Sequence, residues 1–232
     1  MAERYGLGWY GKLPGAGDFL QRRVSDATVS AWSNWFQSGL SHWHQFSGLA
    51  GDRFGLAPIW NFALPATLGI QRVQIGCLLP SRDRVGRAWP LLALRSFAPA
   101  HWHPAQLALA GEWFDDLGET LGAAVRNRLD AEQLDAQLMA LPPLTVPDPR
   151  PSAILEVLGW QSLPGSLRWD EVGSHFDPMQ YVSYWWTNQR DGYPLTTHKH
   201  SGKLTAQLFT TLFHPAAGSR PGQHGLYPPM FD

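Results

Sequence analysis

Hydrophobic positions along the chain fall into two periods, and each period marks out elements. After Ser25 or Asp26, either of which suits a helix N-cap, Val29, Trp32, Phe36, Leu40 and Trp43 recur every three or four residues. That spacing predicts an amphipathic helix, closed by Gly48 and Gly51. Leu107, Phe114, Leu117, Leu121, Val125 and Leu129 predict a second helix, entered at Pro104 behind a His103 cap and running to about Arg128. Gly111, Gly118 and Gly122 weaken it locally. Asp130 predicts the cap of a further helix through Leu141, and Leu204, Leu208 and Leu212 mark a last one over 204–213.

The other period is two. Val73, Ile75, Cys77 and Leu79 alternate with Gln74, Gly76 and Leu78, which predicts a strand with Cys77 on the Val73 and Ile75 face. Strands are also expected at 5–13, 58–64, 87–97 and 180–187, the last rich in β-branched and aromatic residues. Segments 70–79 and 87–97 read as a hairpin, with Pro90 at a strand start or an edge. Asp191-Gly192 reads as a turn, 159–173 as loop with a buried Trp160 or Trp169, and the tail from Pro215 as irregular. Segment 152–158 fits helix or strand. The prolines of 142–151 predict an extended connector inside what is expected to be one domain over 1–232. Interleaved helices and strands point to an α/β fold, with helices on both faces of a mixed central sheet.

Composition narrows the function classes. A net charge of −1 argues against a general electrostatic partner such as nucleic acid or an anionic membrane. No apolar run reaches the length of a membrane span. The one cysteine cannot form an intrachain disulfide, and no leader pattern follows Met1, so a cytoplasmic protein is expected.

Two stretches do not read as plain strand or helix. Gly6 to Arg23 carries five glycines among apolar and charged residues. It matches a dinucleotide glycine pattern over Gly6–Gly11 and nearly matches a phosphate loop at Gly6–Lys12. Both fail on context. No strand fits ahead of them, Leu13 stands where a magnesium-binding hydroxyl is needed, and Pro14 where a helix should begin. The second stretch, Pro80 to Arg87, holds four charges between two strands. Lys12, Asp18, Ser81, Arg82, Asp83, Arg84 and Arg87 are therefore candidate partner-binding residues, each with a competing structural role in turn formation.

Three His-x-His pairs, His42/His44, His101/His103 and His198/His200, lack the context of a metal site. There is no nucleophile elbow, and the adjacent Asp115/Asp116 pair reads as solvated. Cys77 reads as a small buried apolar side chain.

Taken in order, Trp9-Tyr-Gly-Lys-Leu-Pro14 with Gly17-Asp-Phe19, Pro58-Ile-Trp-Asn-Phe62, Gly76 with Leu79-Pro-Ser-Arg-Asp-Arg-Val-Gly-Arg87, Trp89-Pro-Leu91 and Tyr184-Trp-Trp-Thr187 resemble the TagF (ImpM) family of type VI secretion-associated proteins. The resemblance covers most of the chain and is densest over 6–95. It implies a three-layer α/β/α sandwich and a cytoplasmic accessory protein that regulates secretion after translation, as a repressor of assembly or firing. It implies partners among type VI secretion components, such as the forkhead-associated scaffold protein or a separate protein phosphatase. It transfers no catalytic residue and no cofactor, so a non-enzyme is expected. Where the family tends to show Gly-Leu-Pro before the last helix, this chain has Gly202-Lys-Leu-Thr205, leaving that helix's start open. The alternative reading is a nucleotide-binding or phosphoester-cleaving enzyme using the corner at 6–18, with Lys12 and Asp83. A purely structural subunit of the apparatus is a third.

Overall fold

A computed structural model describes residues 6–47, 51–144, 166–214, 220–222 and 225–227. Its centre is a seven-stranded sheet. In chain order the strands are β1 (Gly8–Gly11), β2 (Leu20–Arg22), β3 (Trp60–Leu64), β4 (Val73–Leu79), β5 (Leu91–Phe97), β6 (Val182–Thr187) and β7 (Thr197–Ser201), arranged β2-β1-β5-β4-β3-β6-β7. β8 (Arg220–Gly222) and β9 (Gly225–Tyr227) pair as a separate two-stranded ribbon in the tail expected to be irregular.

The expected mixed sheet is corrected: every pairing is antiparallel. For β3–β4 and β4–β5 the connections explain it. Residues 65–72 and 80–90 return the chain directly to its neighbour, whereas a parallel pair needs a longer crossover. Helices still cover both faces. On one side lie α1 (Asp26–Ser47) and α6 (Ala206–Phe213); on the other lie α2 (Pro104–Ala108), α3 (Gly111–Arg126), α4 (Ala131–Ala140) and α5 (Asp170–His175).

The period of two on β4 sorts its side chains between these layers. Val73, Ile75, Cys77 and Leu79 join the core under α2 to α5, while Leu78 joins the aromatic core under α1 and α6. β3 divides likewise, with Ala63 on the first face and Trp60, Phe62 and Leu64 on the second. The Trp32, Phe36, Leu40 and Trp43 face of α1 is buried as its spacing predicts. Burying such aromatics dominates the energetics of a core.

Several boundaries move. The helix expected over 104–128 is two, interrupted at Leu109 and Ala110. Both residues are apolar, so the pattern runs through the break. The end of the 159–173 loop is the start of α5, which follows a partly buried Trp169; Trp160 lies outside the described residues, as do 145–151 of the connector and all of 152–158. β2 and β7 were not expected. Pro90 precedes β5, an interior strand, so it marks a strand start and not an edge. Other signals hold. Ser25 Oγ accepts the Thr28 N–H, Asp130 forms a capping box with Gln133, His103 caps α2, and Thr205 caps α6. Among the described residues no helix is long and apolar enough to cross a membrane.

Cys77 lies inside a small polar network between the sheet and α3. Its thiol donates to Asn61 Oδ1 at 3.0 Å, and the Asn188 amide donates to the same oxygen at 3.0 Å and to the Phe114 carbonyl at 2.7 Å. Burial pushes the thiol well above its ordinary pKa, and the Asp115 carboxylate adds to the rise. Thiolate is the reactive form, so Cys77 is expected to resist an aromatic disulfide reagent in the native protein and react within seconds once unfolded in guanidinium. Absorbance of the released thiolate measures this; native labelling at the unfolded rate would contradict the buried setting.

Candidate functional site

The two unusual stretches meet. Residues 12–19 turn the chain from β1 into β2, with Gly11 paired to Leu20, so the first corner is a hairpin tip and not a direct entry to α1. Residues 80–90 turn the chain from β4 into β5. Because β1 pairs with β5, the two tips lie side by side. Three hydrogen bonds lace them together. Ser81 Oγ donates to the Lys12 carbonyl at 2.7 Å, the Arg84 N–H donates to the Ala16 carbonyl at 2.8 Å, and Arg87 Nη2 donates to the Gly17 carbonyl at 2.9 Å.

Asp83 is the hub. Its side chain is fully buried, and Lys12 Nζ sits 2.9 Å from Oδ2. Arg87 Nε donates to the same oxygen at 2.6 Å. Oδ1 accepts the N–H groups of Val85 at 3.1 Å and Arg87 at 2.9 Å, which closes the turn around the carboxylate. Burial alone would raise the Asp83 pKa. The bonds from Lys12 and from the Arg87 backbone and side chain outweigh it, holding the carboxyl well below the usual carboxylate range. Lys12 is only 6% exposed, and its ammonium also sits 4.8 Å from the centre of the Phe19 ring.

The candidate residues thus divide by depth. Lys12, Ser81 and Asp83 are buried and brace the corner. Arg82 is partly buried, its backbone bridged to Ala88 and its guanidinium lying beside Gly55. Asp18, Arg84 and Arg87 are exposed. Sequence reasoning missed two further surface residues. Phe19 is 51% exposed, stacked on Tyr10 and edge-on to Trp89, and Val85 is 70% exposed at the tip of the second turn. The signal was present: a bulky apolar residue stands among the polar and glycine residues of each turn.

The corner does not form a phosphate loop. Gly8 to Gly11 is strand, no helix follows, and the ammonium that would meet a phosphate already meets Asp83. The His-x-His pairs also have other employment. His42 bonds Thr210, His103 caps α2, His198 packs on Trp60, and His200 bonds the Lys203 carbonyl. Asp115, far from the corner in sequence, lies within 4 Å of Arg168 and Arg190.

Both tips fall within residues 8–141, the span matched by the family model for the TagF N-terminal domain, described as type VI secretion system-associated. The chain belongs to the TagF family. As a TagF-family chain it is a type VI secretion-associated protein. Its fold is similar to the crystal structure of PA0076 from Pseudomonas aeruginosa PAO1, with a TM-score of 0.66 and 25% identity, covering 94% of this chain and 99% of that one. No curated protein matches the sequence. The TagF match ends at the close of α4, while β6 and β7 extend the same sheet from the later part of the chain.

Proposed function

We propose that this TagF-family chain is a cytoplasmic post-translational regulator of type VI secretion, a repressor of assembly or firing, that acts by binding another protein and carries no catalysis. The observation that supports this reading best is the braced corner. A buried ion pair and three cross-links fix two adjacent turns whose exposed residues include the apolar Phe19 and Val85 and the cations Arg84 and Arg87. Pre-ordered apolar anchors beside arginines are what a protein interface uses, because little side-chain entropy remains to be lost on docking. The chemistry fits an acidic segment with apolar residues on a secretion component. The forkhead-associated scaffold protein and a separate protein phosphatase are the partners in view.

Val85→Glu combined with Arg84→Glu tests it. Both side chains are exposed, so Tm should move by less than about 2 °C. In cells lacking the native protein, effector secretion is expected to rise. The wild-type chain should restore repression and the double variant should not. Full complementation by the folded double variant would sink the proposal. The nucleotide-enzyme reading requires Lys12 to leave Asp83. A thermal shift with millimolar ATP and Mg²⁺ separates the two, and no stabilisation is expected.

A further inference from the structure

A cavity of about 540 Å³ opens between the first half of α1, the β3–β4 connection and the turn that leads into α6. Apolar side chains form much of its wall: Trp32 and Trp35 from α1, Leu64 at the end of β3, and Leu204 ahead of α6. The volume lies within the roughly 300–1,000 Å³ of sites that enclose small organic ligands. Both indoles have their N–H groups engaged, Trp32 with Gln74 Oε1 at 2.8 Å and Trp35 with the Thr205 carbonyl at 2.8 Å. What they can offer the cavity is ring surface.

Six polar residues also line it: Asn34, Ser38, Thr67, Gln74, Tyr181 and Lys203. The Ser38 and Thr67 hydroxyls donate to backbone carbonyls, Ser38 to Asn34 and Thr67 to Gln180, and two of the remaining side chains favour an anion. Gln74 is 2% exposed and lines the cavity. An indole N–H can only donate, so the Gln74 atom bonded to Trp32 is its oxygen, and the amide NH₂ is what this side chain can offer a ligand. Lys203 is exposed, and among the described residues lining the cavity it carries the only charge. Its turn is fixed by Gly202 at φ 85° and by the His200 ring, which donates through Nε2 to the Lys203 carbonyl at 2.8 Å. The arrangement is an apolar wall of two indoles packed edge-on against each other, with a buried amide and a cation, and no carboxylate among the described lining residues to oppose an anion. Its complement is a monoanion with a flat or aliphatic body.

We infer that this cavity binds an amphipathic monocarboxylate, its apolar body against Trp32, Trp35 and Leu204 and its carboxylate toward Lys203. The site is separate from the charged corner, and it stands or falls without the regulatory reading.

N-acetyl-tryptophan, with about eighteen non-hydrogen atoms, is a suitable probe, and its neutral amide is the control. At ordinary ligand efficiencies a fit of this size gives a Kd on the order of 0.1–1 mM, measurable by isothermal titration calorimetry. The amide should bind about fivefold more weakly, the scale of one charge contact at a solvated rim. Lys203→Glu should weaken the acid by at least that factor and leave the amide unchanged. Ala31→Trp, an exposed α1 position lining the cavity, should abolish binding of both without lowering Tm by more than about 2 °C. No saturable heat for the wild-type chain, equal binding of acid and amide, or undiminished binding to the two folded variants would each overturn the assignment.

Discussion

Replacing Asp83 with alanine is expected to destabilise the fold by about 3–5 kcal/mol, the usual cost of removing one member of a buried ion pair. Three consequences coincide. The Lys12 ammonium is left almost fully buried with its counter-ion gone. The Val85 and Arg87 N–H groups lose the oxygen that closes their turn. Arg87 loses the contact that aims it at the Gly17 carbonyl. For a chain of this size the fall in Tm should be roughly 6–20 °C.

Lys12→Met should cost clearly less. Asp83 keeps Arg87 and both N–H donors, and the methionine fills much of the lysine stem's volume. Adding Lys12→Met to Asp83→Ala should recover part of the loss, since no orphaned ammonium remains. Thermal melts of the three variants decide it; Asp83→Ala within about 1 kcal/mol of wild type would show that the pair braces nothing. The same carboxylate sets a pH dependence. Its pKa is lowered in the folded protein, so its contribution is full above the unfolded value near 3.9 and is lost as pH falls through the folded value. The wild-type melt should therefore drop more steeply than that of Asp83→Ala as pH is lowered below about 4.

How far the fold was legible follows from where each pattern had length. The α1 face and the β4 alternation span enough residues for their periods to be unmistakable, and each is buried as read. β2 is three residues, Leu-Gln-Arg, and β7 is Thr-His-Lys-His-Ser; short polar edge strands carry no apolar alternation. Strand direction was not written in the periods at all, because alternation fixes which face is buried and not which way the chain runs. The corner shows a different limit. Its residue types and turns were plain from sequence. Which charges turn inward depends on a pairing between Lys12 and Asp83, 71 residues apart, that exists only once β1 docks on β5. That docking places Lys12 inside and leaves Arg84 outside, though both read alike as cations in a glycine-flanked turn.

Gly11→Ala is expected to cost on the order of 3 kcal/mol, and it tests whether the glycine density of the first stretch serves that docking. Gly11 holds φ at 145°, a conformation that side-chain-bearing residues rarely adopt. A Cβ there would lie 2.3 Å from the Pro90 carbonyl oxygen and 2.9 Å from Leu91 Cα, both backbone atoms of the neighbouring segment that cannot swing aside. Relief would have to come from β1 lifting off β5, which opens the Lys12–Asp83 pair one residue away. Backbone strain alone contributes about 1–3 kcal/mol, and loss of contact with the neighbouring strand adds to it. Gly17→Ala is the matched control. Its Cβ would meet only the Arg84 guanidinium at 3.7 Å, an ordinary contact with a flexible side chain, so its effect should stay within about 0.5 kcal/mol. If denaturant titrations put the two variants at equal stability, the glycines of this stretch are interchangeable and the corner is not held by the fit of β1 against β5. If Gly11→Ala alone falls, and partner capture by the folded fraction falls with it, the hairpin's position on the sheet is what presents Phe19 and Arg84 to a partner.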